Sequence, residues 1–216
     1  MTISTKTLLQ LPDIPTLRNI SQSLAVLDAI LSPIWENRYY SFNVHWAAQQ
    51  AVASMRNGEG DSYLVWFSPG GAVLKGFAHE SPMSPYRAKP PQIWPGIWDG
   101  FPSLFNDFLS EPAFISEETT FCIWRTFNDI GWQIGAIQFP NEQDPDGSAG
   151  LLNILNGNPQ TYQQWAESYY EKSISLSAIN HIYDHRPLTE PIVTALNPSV
   201  SIQDLTSPLA EIGYGT

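Results

Sequence analysis

The chain has few charged residues, one cysteine and no long apolar run, and each shortage excludes a class of protein. Charged residues occupy 14% of the 216 positions, against roughly a quarter in an average domain. Cys122 is the only cysteine, which excludes the internal disulfide framework that staples small secreted domains. The apolar runs fall far short of the roughly 20 residues that a membrane-spanning helix needs.

Basic residues are the scarcest charged type. Lys and Arg number 10 against 21 Asp and Glu, for a formal net charge of −11. Nucleic acids and anionic membranes are bound chiefly through Lys and Arg, so neither is expected as a partner. A protein partner is compatible with this balance, and charge favours a basic one. The N-terminal segment has no basic stretch followed by an apolar core, so we expect no signal peptide and a cytoplasmic location.

Aromatic residues are plentiful, and the clearest local pattern is built from them. Residues 63–67 are an apolar run, and residues 72–77, which are apolar apart from Lys75 and Gly76, follow it after the sequence Ser68-Pro69-Gly70-Gly71. This arrangement predicts two strands joined by a tight type II turn. Both faces of residues 63–67 are apolar, so we expect an inner strand that is covered on both sides.

The remaining periodicity predicts an α+β fold. Residues 119–127 and 132–139 form a second predicted hairpin, and the two hairpins together predict an antiparallel sheet of about four to six strands. Apolar residues at three- and four-residue spacing predict an N-terminal helix that begins at a Thr16 cap. Further predicted helices cover residues 45–55, 102–110, 148–155, 159–173, 176–183 and 189–196. We expect one domain, 1–216, with an irregular lead-in (1–15) and an irregular tail (197–216).

A proline-rich loop, residues 82–102, follows the first hairpin. Its prolines leave amide donors missing, so a long ordered loop is expected in place of regular structure. Trp and Tyr are common hot-spot residues of interfaces. The loop aromatics are therefore candidate binding residues, with the alternative that they pin the loop to the core: Tyr86, Trp94, Trp98 and Phe101.

Residues 60–110 resemble the SUKH superfamily, which includes yeast cell-wall-synthesis regulators and bacterial immunity proteins that neutralise toxins. The resemblance lies in a strand, a Pro/Gly turn, a second strand that ends in His-Glu, and a helix with paired Phe and Leu. The matching positions are 63–67, 69–71, 73–77, His79, Glu80, Phe105, Phe108 and Leu109. The resemblance implies an α+β fold that binds a partner protein, with no catalytic residues to carry over.

No complete catalytic or metal-binding pattern is present, so we assign no catalytic residue, metal ligand or cofactor. The nearest catalytic candidates are His79 and Glu80, a His–carboxylate pair at a strand end. The nearest metal candidates are His181 and His185, spaced i and i+4, with Asp184 beside them. The alternative interpretation of these histidines is a helix C-terminus, where they interact favourably with the helix dipole.

The pattern as a whole favours a non-enzymatic, intracellular, immunity-like protein-binding module that acts through the proline-rich loop and an acidic surface. A metal-dependent hydrolase or metal-binding protein that uses His181, His185 and nearby carboxylates is the first alternative. A small-ligand sensor is the second, with an aromatic pocket formed by His45-Trp46 or by a helical stripe of Tyr162, Trp165 and Tyr169. No pattern indicates an oligomeric state.

Overall fold

A five-stranded antiparallel sheet organises the part of the chain that the computed structural model describes, residues 2–215. Its strands follow one another in space in their order along the chain, β1-β2-β3-β4-β5. The predicted α+β class, with an antiparallel sheet and helices at both ends of the chain, is confirmed. The strands are Tyr40–Ala47 (β1), Gln50–Arg56 (β2), Ser62–Ser68 (β3), Gly71–Phe77 (β4) and Phe121–Thr126 (β5).

The β3–β4 hairpin forms as predicted, with a two-residue connection between the paired Ser68 and Gly71. The positive φ falls at Gly71 (+145°) and not at Gly70, so the turn is not the predicted type II. A Cβ atom at Gly71 would lie 2.1 Å from the backbone oxygen of Arg125. The glycine is therefore needed because β5 approaches the backbone of β4 closely at this point.

The predicted helix over residues 45–55 is wrong, because this segment forms the end of β1, a turn and most of β2. Alanine and glutamine favour helix, but an isolated helix of this length is marginal in water. As a strand, β2 lies between β1 and β3 and alternates its side chains. Ala51, Ala53 and Met55 enter one core and Val52 the other. The turn places Gln49 at a φ of +60°.

The second predicted hairpin forms only in part. Its first arm is β5, but its return arm makes a single bridge, in which Trp124 and Gln133 exchange two backbone hydrogen bonds of 2.9 and 2.8 Å. Beyond the bridge the chain packs against the proline-rich loop. A Cβ atom at Gly135 would lie 1.9 Å from the oxygen of Gly96. The backbone of the proline-rich loop therefore packs directly against the return arm at Gly135.

Seven α-helices are described within residues 2–215, and they include one in the tail that was predicted to be irregular. Asp13, not Thr16, caps the first helix, and its Oδ1 accepts the amide of Thr16 at 2.9 Å. None of these helices combines the length and apolar character that a membrane crossing requires. The helices are Ile14–Leu31 (α1), Asn106–Ser110 (α2), Ser148–Leu152 (α3), Pro159–Tyr170 (α4), Leu176–Tyr183 (α5), Glu190–Leu196 (α6) and Thr206–Ile212 (α7).

The tail is ordered because it is packed and hydrogen-bonded to α1. Leu209, Ile212 and Tyr214 are buried. Gln22, in α1, donates from Nε2 to the oxygen of Ile212 at 2.9 Å. The short, weakly periodic segment 206–212 becomes a helix through these contacts, which lie far away along the chain and leave no local pattern.

Each face of the sheet carries its own core, as the apolar character of β3 on both faces predicted. On one face α1 packs against β1, α5 and α7 and builds the helix-side core. The other face is covered by residues 82–118, which we call the loop layer, and holds the loop-side core. The loop-side core consists of Val52, Trp66, Val73, Met83, Ile97, Phe105, Phe108, Phe114, Cys122 and Trp124.

Candidate functional site

His79 lies just after β4 and is held between two carboxylates. Its Nδ1 is 2.7 Å from Oδ1 of Asp61, and its Nε2 is 3.2 Å from Oε1 of Glu80. The hydrogen bond that His79 Nδ1 donates to Asp61 raises the pKa of His79, because it stabilises the imidazolium form. Asp61 also accepts the backbone amide of His79 at 2.8 Å. The ring thus ties the β2–β3 loop to the segment that joins β4 to the loop layer. Both of its nitrogens face carboxylates, and neither is bound to a nucleophile.

His181 and His185 are separated by the end of α5. The helix ends at Tyr183, and His185 takes a φ of +51°. His181 Nε2 lies 2.8 Å from the oxygen of Pro187, whereas His185 Nε2 lies 3.0 Å from the oxygen of Asn19. The i, i+4 spacing therefore does not place the two rings on one helix face.

Asp184 is also engaged elsewhere, since its Oδ2 accepts from Arg186 at 2.6 Å. Within residues 2–215, no group of three or more His, Cys, Asp or Glu side chains is arranged to hold a metal ion. The structure does not bring His181, Asp184 and His185 together as the metal alternative requires.

Three of the four predicted loop-binding residues are partly buried against the loop-side core. Trp98 meets Phe101 edge-to-face at 5.2 Å, and Phe101 meets Trp124 in the same way at 5.4 Å. Trp94 donates from Nε1 to the oxygen of Gln138 at 3.1 Å. These contacts hold the loop against the sheet, which leaves Tyr86 as the exposed member of the predicted set.

Tyr86 borders an open groove of about 600 Å³ on the loop layer, which we call the Tyr86 groove. Its ring is 55% exposed, and its hydroxyl donates to Oε1 of Glu118 at 2.5 Å. That hydrogen bond raises the pKa of Tyr86, because the neutral phenol is the donor. The groove is lined by Pro85, Tyr86, Pro91, Gln92, Ile93 and Glu117.

A second depression on the same layer has a volume of about 270 Å³, and we call it the Trp46 pocket. Trp46 reaches it from β1, Trp66 from β3, and Phe114 from the 3-10 turn Pro112–Phe114. Two acidic residues complete its wall. The lining residues are Trp46, Gln50, Trp66, Asp107, Ser110, Glu111 and Phe114.

The sequence identified Trp46 as a pocket residue but placed it on a helix, where it could not meet Phe114. The carboxylates of Asp107 and Glu111 also line this pocket. Helical spacing could not have predicted this, because α2 ends at Ser110 and Glu111 follows it in an extended conformation.

Lys75 fixes the segment between the two depressions. It lies in β4, is buried, and donates from Nζ to the oxygens of Phe114 (2.8 Å) and Ile115 (2.7 Å). Burial lowers the pKa of Lys75 to about 8. Ile115 takes a left-handed φ of +45° and is exposed. A buried cation thus holds two backbone carbonyls and shapes the wall of the Trp46 pocket.

The loop layer carries an excess of acidic side chains. Within residues 82–118 there are five acidic residues and two basic ones, Arg87 and Lys89, for a net charge of −3. Among the ion pairs of residues 2–215, none involves the four carboxylates nearest the two depressions. These carboxylates are Asp107, Glu111, Glu117 and Glu118.

The predicted aromatic stripe of α4 lies on the other side of the sheet. Trp165 stacks on Tyr169 and meets Tyr39 edge-to-face. Trp165 and Tyr39 also line a cavity of about 170 Å³, below the roughly 300–1,000 Å³ usual for small-molecule sites. Tyr162 is fully buried and acts as a core residue.

Beneath this stripe lies the fully buried carboxylate of Asp28. Its Oδ2 accepts the backbone amides of Tyr39 and Tyr40 at 2.6 and 2.8 Å. Burial raises the pKa of Asp28 to about 6, although the hydrogen bonds oppose this shift. A buried acid that receives two backbone amides anchors the start of β1 to α1.

Comparison with known proteins found no match to this chain among protein-family models, curated proteins or solved structures. A functional conclusion therefore has to come from the geometry and chemistry of the site.

Proposed function

We propose that this protein is a non-enzymatic binding module whose loop layer docks a basic polypeptide segment of a partner protein. The observation that carries the proposal is the Tyr86 groove, an open depression with proline and tyrosine walls beside Glu117 and Glu118. An extended segment with apolar and basic side chains complements such a surface in both shape and charge.

Rigidity of the groove supports the proposal. Pro85 and Pro91 restrict its backbone, and the amide of Gln92 donates to the oxygen of Pro85 at 3.1 Å. Ile93 packs against the loop-side core. A surface that is already ordered loses little conformational entropy on binding, so more of the contact energy appears as affinity.

Charge supports a basic partner. The whole chain carries −11 and the loop layer −3, and the carboxylates of Glu117 and Glu118 beside the groove form no ion pair within residues 2–215. Such a surface attracts a basic partner over distance and accelerates association, and salt weakens this attraction. Binding through the Tyr86 groove should therefore weaken as ionic strength rises.

The SUKH resemblance supplies a narrower form of the same proposal. Its matching residues include Phe105 and Phe108, which are buried in the loop-side core, and His79, which binds Asp61 of the β2–β3 loop. In this form the partner is a toxin, and binding neutralises it.

Site-specific photo-crosslinking in the cells that naturally make the protein tests the proposal. A photoreactive residue at Gln92 lies in the groove, and one at Gln203 lies on the surface beside α7. The protein that cross-links at position 92 but not at 203 is identified, purified and titrated by calorimetry. We expect a basic partner whose affinity falls at least tenfold for the double variant Tyr86→Ala/Glu117→Lys.

Tyr169→Ala is the matched control, since Tyr169 is an exposed tyrosine on the opposite side of the sheet. This variant should bind the partner as the wild type does. Absence of a position-92 cross-link above the position-203 background contradicts the proposal. Equal affinity of the wild type and the groove variant, or affinity that is insensitive to salt, contradicts it as well.

A further inference from the structure

The Trp46 pocket combines three aromatic rings. Trp46 and Phe114 stack with centroids 5.4 Å apart and an interplanar angle of 24°. Trp66 meets Phe114 at 6.5 Å in an edge arrangement. Trp66 is 3% exposed and Phe114 2% exposed, while Trp46 is partly exposed. The two inner rings are held by the loop-side core, and Trp46 is the ring that a ligand can reach.

The hydrogen-bonding groups of the pocket are predominantly acceptors. The indole N–H of Trp66 is already bound to Oε1 of Gln50 at 3.0 Å. Oε1 of Glu111 accepts the amide of Ala113 at 3.1 Å, which fixes this side chain. Asp107 lies four residues earlier on the same wall. Neither carboxylate forms an ion pair within residues 2–215, so the pocket presents negative charge beside the partly exposed ring of Trp46.

This combination selects an organic cation. The face of a tryptophan ring attracts an ammonium or guanidinium group, and carboxylates accept short, charge-assisted hydrogen bonds from the same groups. An anion would be repelled by Asp107 and Glu111. A Ca²⁺ ion needs six to eight oxygen ligands, whereas three of the seven residues that line this pocket are aromatic. The volume of about 270 Å³ suits one side-chain head group and is too small for a large cofactor.

We propose that the Trp46 pocket binds the cationic head group of a lysine or arginine side chain of the partner protein. The identity of the cation as a side chain of the partner rests on the proposed function. The preference of the pocket for a cation rests on its own lining residues. Both depressions lie on the loop layer and are joined by residues 111–117. The cation is therefore an anchor beside the segment that occupies the Tyr86 groove.

Indole ¹H–¹⁵N NMR of the full chain tests the cation preference. The probes are N-acetyl-lysine methylamide, agmatine as a guanidinium probe, and N-acetyl-norleucine methylamide as the uncharged match. We expect both cations to shift the indole signals of Trp46 and Trp66, with a Kd on the order of 1–10 mM, and the other six tryptophans to serve as internal references. Equal shifts with the norleucine probe would overturn the proposal.

Two variants separate binding from folding. Asp107→Asn/Glu111→Gln changes charge at side chains outside the core, so the fold should persist and cation affinity should fall at least tenfold. Trp35→Ala is the control, since it removes a half-exposed indole that stacks on Arg56 elsewhere. It should leave the affinity unchanged. Unaltered affinity in the carboxylate variant contradicts the proposal.

The purified partner from the cross-linking experiment separates the two proposals. If the carboxylate variant binds the partner as the wild type does, the anchor is wrong and the binding function stands. If the cations bind but no partner is found at the groove, the binding function fails and the pocket chemistry stands. Agmatine binding more than 100-fold tighter than N-acetyl-arginine methylamide, which carries the same guanidinium group, would identify a free small amine as the ligand and overturn the partner side chain as its source.

Discussion

The two faces of the sheet are covered in different ways, and the difference separates stability from binding. On the helix side, α1 satisfies its own backbone hydrogen bonds, so nearly all of its length can be buried. On the loop side, irregular backbone needs tertiary hydrogen bonds such as those from Lys75 and Trp94. A layer built in this way leaves depressions and exposed rings such as Tyr86. The helix side therefore supplies a closed core and the loop side a structured surface.

The largest loss of stability is expected from truncation of a buried residue in the loop-side core. Phe108 is 0% exposed and its ring lies 4.9 Å from that of Phe114. Phe108→Ala should lower the free energy of unfolding by about 3–5 kcal/mol, because a cavity remains. The neighbouring Leu109, 39% exposed, is the control, and Leu109→Ala should cost less than about 1 kcal/mol. Urea unfolding measures both. Similar losses in the two variants would mean that the loop layer is not a specifically packed core.

The next effect concerns the buried acid on the helix side. The folded-state pKa of Asp28 is raised from 3.8 to about 6, so the folded protein binds the proton more tightly than the unfolded chain does. Stability is therefore higher in acid and falls as pH rises from about 4 to about 6. The full change is roughly 3 kcal/mol for this group.

Asp28→Asn should remove that pH dependence. The asparagine oxygen can still accept the amides of Tyr39 and Tyr40, and it carries no charge to desolvate. We expect the variant to be at least as stable as the wild type at pH 7, as measured by thermal unfolding between pH 4 and 7. If the stability of the wild type does not fall between pH 4 and 6, or falls equally in Asp28→Asn, the raised pKa assigned to Asp28 is wrong.

A smaller and more local effect is expected at Lys75. Lys75→Met leaves the oxygens of Phe114 and Ile115 without their donor, but it also removes a charge whose burial is unfavourable, as the lowered pKa indicates. These terms oppose each other, so global stability should change by no more than about 1 kcal/mol. Amide exchange of residues 111–118 should nevertheless accelerate at least tenfold.

Lys6→Met is the matched control for Lys75→Met, since the Lys6 Nζ donates to the oxygen of Glu142 at an exposed site. It should leave exchange in residues 111–118 unchanged. Unchanged amide exchange of residues 111–118 in Lys75→Met would show that packing alone holds this segment. It would then contradict the view that the loop side depends on tertiary hydrogen bonds from Lys75.

The smallest effect on stability is expected at the exposed ring of the loop layer. Tyr86→Ala should change the free energy of unfolding by less than about 0.5 kcal/mol. Trp98→Ala, which removes the edge contact with Phe101, should cost more than about 1 kcal/mol. Differential scanning calorimetry distinguishes the two. The reverse order would make Tyr86 part of the core and remove the binding role assigned to it.

The sequence by itself determined the elements whose side chains follow a clear period. The apolar run of residues 63–67 and the three- and four-residue spacing from Leu17 onward predicted an inner strand and an amphipathic helix. Both elements form, although the turn type and the helix cap differ from the prediction. The short helices between residues 148 and 196 were likewise predicted from local sequence, and helices form there. An α+β fold with an antiparallel sheet followed from these patterns because strand and helix periods depend on nearest neighbours only.

Tertiary structure decided the rest, since it depends on which distant segments meet. Alanine and glutamine give residues 45–55 a local preference for helix, and pairing of β2 with β1 and β3 overrides it and makes the segment strand. That pairing brings Trp46 to Phe114, a contact across 68 positions that no local pattern encodes. A left-handed residue at His185 separates two histidines whose spacing alone suggested one site. The burial that makes Trp98 an anchor and leaves Tyr86 exposed is likewise set by the sheet beneath the loop.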